Sequence, residues 1–286
     1  MPKYDLILSG GTILDPANDL ESVSDLGISR GKIERVAPEL DPSLSRKIID
    51  VQGKWVMPGQ IDTHAHVAGL VRNWDPAIGY AMLAEAGTTT VLDMGGTGPD
   101  LINGIKRLGA GLNVAGVYAM IPGVTISDSI LTSSALSDIM ANAKRQGCIG
   151  VKILGGYHPF SPETTSDIIR VANDHMAYVA YHVGSKESGS DLIGMRELPG
   201  ILGAGHLHVA HVNSYCRGVI GEALAECDEV LSILQRPNII SEAYHAVQNG
   251  TNGSCDQDGN VMADVPRSCL SLRGYPPTRE GLTQAI

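Results

Sequence analysis

The sequence is short of basic residues, of paired cysteines and of long apolar runs, and each shortage removes a class of function. Lysines and arginines number 21 against 31 aspartates and glutamates, for a net charge of -10 at pH 7. Phosphate backbones are gripped by clustered cationic side chains, so no nucleic-acid partner is expected. The five cysteines, Cys148, Cys216, Cys227, Cys255 and Cys269, form no C-x-x-C pair and are odd in number, which argues against a disulfide framework and against an iron–sulfur cluster. No apolar run is long enough to span a bilayer. The N-terminal Met1-Pro2-Lys3-Tyr4-Asp5 leads straight into a strand-like segment, without a basic region followed by an apolar one. A reducing cytoplasm is the expected compartment, with neither export nor membrane insertion.

What is present is enough chain, 286 residues and 30.1 kDa, to bury a sizeable core, with room for one large α/β domain and a small one. Residues 4–58 read as short strands and turns: 4–9, a turn at Gly10-Gly11, 12–14, 25–29, a turn at Arg30-Gly31, and 32–36. A small β domain over 1–58 is expected. After Pro58-Gly59 apolar strand runs alternate with helix-length amphipathic stretches, the pattern of repeated βα units on a parallel sheet. Strands are expected near 60–66, 88–94, 114–121, 149–154, 178–183, 206–212 and 238–243, and helices over 76–86, 129–147 and 161–175. The alternation favours a TIM-like (β/α) barrel over 59–286 that has seven of the eight strands such a barrel needs. Near the end, Pro276-Pro277-Thr278-Arg279-Glu280 reads as a helix start with Thr278 as its N-cap.

The residues that carry chemistry sit at the expected strand ends. His64 and His66 are two positions apart, so on a strand both imidazoles lie on one face and can chelate one ion. Lys152 lies within Ile149-Gly150-Val151-Lys152-Ile153-Leu154, where an unpaired ammonium would be very costly. Two readings fit it. Its amine can snorkel to the barrel mouth, or a desolvated neutral amine can add CO₂ and become a carbamate that bridges two cations. The histidines around it favour the second. His182 in Tyr178-Val179-Ala180-Tyr181-His182-Val183 and His211 in His206-Leu207-His208-Val209-Ala210-His211-Val212 end two further apolar strands, and neutral imidazoles suit zinc. By strand alternation His206 and His208 share a face opposite His211. His211 is chosen as ligand because it is nearest the strand's C-terminal end. His158, His175 and His245 read as loop or helix-surface residues.

Together these residues resemble the amidohydrolase superfamily, in particular its branch of hydantoinases, dihydropyrimidinases, dihydroorotases and D-aminoacylases. The resemblance covers nearly the whole chain. It rests on Val56-Met57-Pro58-Gly59-Gln60-Ile61-Asp62-Thr63-His64-Ala65-His66, on Gly87-Thr88-Thr89-Thr90-Val91-Leu92-Asp93, on Val151-Lys152-Ile153 and on His208-Val209-Ala210-His211-Val212. It implies that residues 4–58 are part of a small N-terminal β-sandwich. It further implies two divalent metal ions, zinc first, with His64 and His66 on the more buried one, His182 and His211 on the other, and a CO₂-derived carbamate on Lys152 between them. Hydantoinase-like members carry a tyrosine five positions after the bridging lysine, and Tyr157 stands there; it would donate to the developing oxyanion, or it is an ordinary loop tyrosine. The implied reaction is hydrolysis of an amide by a hydroxide held between two cations. A cyclic amide or imide such as a hydantoin or lactam is the first substrate expected, and an N-acyl amino acid the second. Cobalt, manganese, nickel or iron could replace zinc.

One element of that family is missing from the reading. Its aspartate at the end of strand eight, which handles the proton, has no counterpart strand here, and no other carboxylate is assigned to the site. Asp256, Asp258 and Asp264 follow the seventh strand, but in and beside a Gly- and Asn-rich loop around 250–255; none is expected to replace it. A second chain is therefore expected to supply the eighth strand, the aspartate and the rest of the sandwich, within an oligomer. Two other classes remain: a non-catalytic scaffold or assembly subunit, and a subunit of a redox assembly with a formyl-transfer or hydrolysis step. A mononuclear deaminase would have no need of Lys152.

Overall fold

A computed structural model of the chain describes residues 2–68, 76–127, 131–218, 220–244, 253–262, 266–267, 270–271 and 273–285. Expectations about His245, Asp264, Cys269 and residues 250–252 fall outside them. By compactness the chain divides into Met1–Gln60 and Ile61–Ile286.

In the first unit β1 (Leu6–Asp15), β2 (Leu20–Ser29), β3 (Lys32–Ala37), β4 (Ile48–Asp50) and β5 (Trp55–Val56) make one mixed sheet in the order β3-β2-β1-β4, with β5 also on β1. Arg30 and Gly31 both have positive φ, 51° and 73°, the backbone of a tight two-residue hairpin between β2 and β3. The turn expected at Gly10-Gly11 is instead a β-bulge inside a continuous β1, with the register against β2 shifting between Leu8 and Gly11. Gly10 takes φ +74°, and its N–H donates to the Asp25 carboxylate at 2.9 Å. A Cβ on Gly11 would stand 2.8 Å from the Val56 side chain, so β5 could not approach. The glycine pair reads as a turn in sequence because the same left-handed freedom serves both uses.

In the second unit β6 (Gln60–Ala65), β7 (Thr88–Gly96), β8 (Asn113–Met120), β9 (Gly150–Leu154), β10 (Tyr178–His182), β11 (Leu207–Val209) and β12 (Ile239–Ser241) lie side by side in chain order in one curled seven-stranded sheet. The registered pairs are parallel. Between the strands run α1 (Pro76–Glu85), α2 (Gly98–Leu108), α3 (Ser133–Arg145), α4 (Pro162–Asp174), α5 (Leu192–Leu202) and α6 (Ala223–Leu234), and α7 (Arg279–Ala285) comes last. Their starts are set by local chemistry: Thr97 with Asp100 forms a capping box, and Thr132, Ser161 and Asp191 each accept a backbone N–H of the first turn. Thr278 caps α7 through Gly281 N–H at 3.3 Å. Among the described residues no helix is long and apolar enough to cross a membrane.

Strand alternation sorts two layers. Val151, Ile153, Val179 and Tyr181 pack outward on helix residues such as Leu136, Met140, Ile168 and Leu198. On the other face Leu92, Met94, Val117 and Ala180 form a small interior cluster. Register places Lys152 opposite Ala119 on β8 and Ala180 on β10, and Ala180 opposite His208. Two alanines thus leave space for the lysine and hold a histidine in the same inward row. β6 and β12 are the two ends of the sheet and are not paired with each other among the described residues.

The segment after β6 is pinned by Asp93, fully buried in β7. Its carboxylate accepts from Ala68 N at 2.6 Å, Gly95 N at 2.9 Å, Val67 N at 3.2 Å and the Tyr80 hydroxyl at 2.8 Å. Val67 directly follows His66, so this anchor sets where the H-x-H pair leaves the sheet. Asp93→Ala would strand three backbone donors and a hydroxyl. A loss of about 2–4 kcal/mol of unfolding free energy is expected by urea denaturation, part of the penalty being offset by removal of a buried charge. An unchanged midpoint would contradict this anchoring.

Candidate active site

The four histidines of the expected ligand set sit at or beyond the C-terminal end of strands of the seven-stranded sheet, where barrel chemistry occurs, and Lys152 lies at mid-strand. His64 is next to last in β6 and His66 just follows it; Lys152 is central in β9, His182 ends β10, and His211 lies two residues after β11. Four of the side chains form a continuous ring cluster. Centroid separations are 5.0 Å for His64–His66, 5.2 Å for His64–His211 and 4.4 Å for His182–His211. Tyr157, half-buried in the turn after β9, meets His182 edge-on at 4.9 Å.

The two histidine pairs suit cations differently. His64 Nε2 and His66 Nε2 converge to 3.0 Å, near the roughly 3.3 Å that a tetrahedral zinc with bonds of about 2.0–2.1 Å sets between two nitrogens. His211 Nδ1 is buried without a hydrogen-bond partner among the described residues, an orphan that a metal would satisfy. Lys152 is 1% exposed, and its Nζ meets Met94 Sδ at 3.3 Å, a weak acceptor. Among the described residues no three or more His, Cys, Asp or Glu side chains are already grouped so as to hold one ion. The His64–His66 spacing and the orphaned His211 nitrogen suit a cation, though no complete ligand group is formed among the described residues.

The assignment of faces near β11 needs correcting. His208 and His211 both turn toward the site, although strand parity separates them. β11 ends at Val209 and His211 adopts a left-handed conformation, φ 37° and ψ 60°, which swings its ring back to the side that His208 already faces. His208 is 2% exposed, with Nδ1 at 2.7 Å from the Tyr178 hydroxyl. His206 is exposed, while His175 caps α4 and meets Ser137 Oγ at 2.7 Å. Asp256 accepts N–H groups of its own turn, from Asp258 at 3.0 Å and Asn260 at 2.8 Å.

Three site residues escaped the sequence reading. Glu242, immediately after β12, brings a carboxylate where none had been assigned: Oε1 lies 2.6 Å from His64 Nδ1 and accepts His211 N–H at 2.8 Å. It is also 3.4 Å from His208 Nε2. Ser190 Oγ is 2.8 Å from His182 Nε2, in a loop that reads only as polar. Gly156 lies against the same ring, where a Cβ would stand 2.1 Å from His182 Nε2. Glu242, inside the strand expected over 238–243, carries no sequence signal; Gly155-Gly156 directly after the Lys152 strand is the signal for close packing.

Burial sets the electrostatics. It pulls the Lys152 amine down to about 7, against the upward pull of Glu242. Burial, then the Lys152 and His64 charges, take His211 down to about 3, and burial with His211 takes His182 well below its ordinary value. His64 is lowered by burial and Lys152, with Glu242 opposing. Glu242 is pushed up by burial but held far below the usual carboxylate range by hydrogen bonds from His208 and His64. At neutral pH His64, His182 and His211 are thus uncharged, beside an amine close to neutrality and one carboxylate.

The model of the amidohydrolase family matches residues 55–215, more than half of the chain, and the chain belongs to that family. A dihydroorotase of Trichlorobacter lovleyi is 27% identical over 195 residues, which are 66% of this chain and 44% of that protein. A D-hydantoinase of Ralstonia pickettii is 39% identical over 93 residues, 31% of this chain and 20% of that one. Among solved structures, an N-acyl-D-glutamate deacylase of Bordetella bronchiseptica, complexed with zinc and a phosphonate inhibitor, superposes with a TM-score of 0.63 at 20% identity, over 85% of this chain and 58% of that chain. The chain spans less than half the length of these curated relatives.

The depressed histidines make stability fall with acid. Below about pH 6.5 the unfolded chain protonates His182 and His211 while the folded chain does not, so unfolding free energy should drop by up to about 1.4 kcal/mol per pH unit for each, down toward their folded values. Urea melts between pH 7 and pH 4, with imidazole proton shifts read in parallel, check this. Both rings protonated at pH 5 in the folded protein would contradict it.

Proposed function

We propose that this site hydrolyses the amide bond of a small molecule using two divalent cations, zinc first. The observation that carries the reading is the gathering of four imidazoles, one with an orphaned nitrogen, around a buried lysine at one strand-end mouth. A cyclic amide or imide, as the names of the dihydroorotase and hydantoinase relatives suggest, is the first substrate class; an N-acyl amino acid is the second.

His64 and His66 would hold one ion and His182 and His211 the other. Lys152, its amine near neutrality, would add CO₂ and lose a proton to become a carbamate, which would supply oxygen donors to the metals. The metals, when bound, supply Lewis acidity toward the carbonyl and a nucleophile from water at neutral pH. Tyr157, beside His182, would donate its hydroxyl proton to the carbonyl oxygen as negative charge develops there. Ser190 and Gly156 hold the His182 ring in place. A further strand, from this polypeptide or another chain, would join β6 and β12, which are not paired with each other among the described residues, and would bring the family's aspartate to the mouth.

A second reading, a non-catalytic assembly subunit, has one observation in its favour: no three-ligand group is already formed among the described residues. Two measurements separate them. Supplied with zinc and ¹³C-bicarbonate, the protein should show one carbamate carbon per chain by NMR, absent in Lys152→Ala. It should also hydrolyse a member of a panel of hydantoin, dihydroorotate and N-acyl-D-amino acids, with Lys152→Ala lowering the rate by about 10²-fold or more. Zinc-loaded protein that carries no carbamate and turns over nothing in the panel would leave the subunit reading standing.

A further inference from the structure

Glu242 has no part in the ligand set just described, yet it touches three of the site's residues with a single oxygen. Its donors come from places that strand pairing cannot bring together. His64 belongs to β6, at one end of the sheet, whereas Glu242 follows β12, at the other. The two residues are 178 positions apart in sequence and 2.6 Å apart in space. Both side chains are largely buried, 11% and 19% exposed. A contact this short, between the two unpaired ends of the sheet, fixes an imidazole ring in orientation as well as in position.

An ionised carboxylate can only accept hydrogen bonds, and this assigns the protons of the whole group. His64 must carry its hydrogen on Nδ1, which leaves Nε2 with a bare lone pair. That lone pair faces His66 Nε2 at 3.0 Å. By the same logic His208 carries its hydrogen on Nε2, toward Glu242, and its Nδ1 accepts from the Tyr178 hydroxyl at 2.7 Å. The backbone N–H of His211 completes the set at 2.8 Å and holds the left-handed turn that brings the His211 ring inward.

We propose that Glu242 is a positioning residue acting through His64: by accepting the Nδ1–H it holds His64 in the one tautomer, and the one orientation, whose Nε2 can bind the ion shared with His66. The inference rests on the metal-centre reading above and adds to it the partner that orients its first ligand. Glu242 does not ligate that ion, because Nδ1 and Nε2 lie on opposite edges of the imidazole and the carboxylate occupies the Nδ1 side. Carboxylates that hold a ligating histidine in this way raise metal affinity by about 10–100-fold.

The test uses the full chain and inorganic zinc. In the metal-free wild type, long-range ¹H–¹⁵N correlation should show His64 protonated on Nδ1 and bare on Nε2. In Glu242→Ala the Nε2–H form should take over. Competition against a chromophoric chelator should then show zinc affinity lowered about 10–100-fold for one of two equivalents in Glu242→Ala, with Glu242→Gln, which keeps an acceptor oxygen, recovering part of the loss. A role confined to closing the sheet would lower the melting temperature without moving the tautomer. His64 found as Nε2–H in the wild type, or wild-type zinc affinity in both variants, overturns the proposal. Should Glu242→Ala fail to fold, the wild-type tautomer and Glu242→Gln still decide it. A wild type that binds no zinc while His64 keeps the Nδ1–H form would instead count against the metal-centre reading alone.

Discussion

Burying the Lys152 amine is the constraint around which the rest of the mouth is arranged. An ammonium in a strand whose residues are all buried would be prohibitively costly without a partner, and the surroundings answer this in three ways. Alanines at 119 and 180 flank it in register and leave volume beside it. Desolvation moves the amine to the edge of neutrality, at about 7. Burial likewise keeps His182 and His211 uncharged, so neither adds a competing cation beside it. An amine kept neutral in this way is a nucleophile toward CO₂, and neutral imidazoles are the form that binds metal. Burial therefore favours both halves of the proposed chemistry.

A second constraint is mechanical. The sheet's two ends, β6 and β12, are not paired among the described residues, yet they carry residues that must meet. Asp93 fixes the chain beyond His66 from the β7 side, and Glu242 reaches His64 from the β12 side. The H-x-H pair is thus held from both directions by buried carboxylates with different tasks: one accepts backbone donors and sets the path of the chain, the other accepts a ring N–H and sets the orientation of a side chain. Of the residues at the mouth, it is the H-x-H pair that these two carboxylates hold.

Much of this was legible in the sequence. His64-Ala-His66, Lys152 and the histidine-ended strands were readable because each lies in or beside an apolar run whose length and composition mark a strand, and the seven expected strands correspond to β6–β12. Glu242 was not, because a glutamate after a three-residue strand has no periodicity to mark it, and its partner lies on the far side of the sheet. The His208 and His211 faces were misread because parity holds only while the backbone is extended, and β11 stops at Val209. The Gly10-Gly11 bulge reads as a turn in sequence because glycine serves either. Contacts made along one element left a pattern; contacts made across the fold did not.

Anomalous diffraction at the zinc edge from crystals of the zinc-loaded protein should show two peaks at the strand-end mouth. One should lie between His64 Nε2 and His66 Nε2, the other beside His182 and His211, with Lys152 between them. A map with no zinc among these residues, or with zinc bound only elsewhere on the chain, would contradict the metal-centre reading.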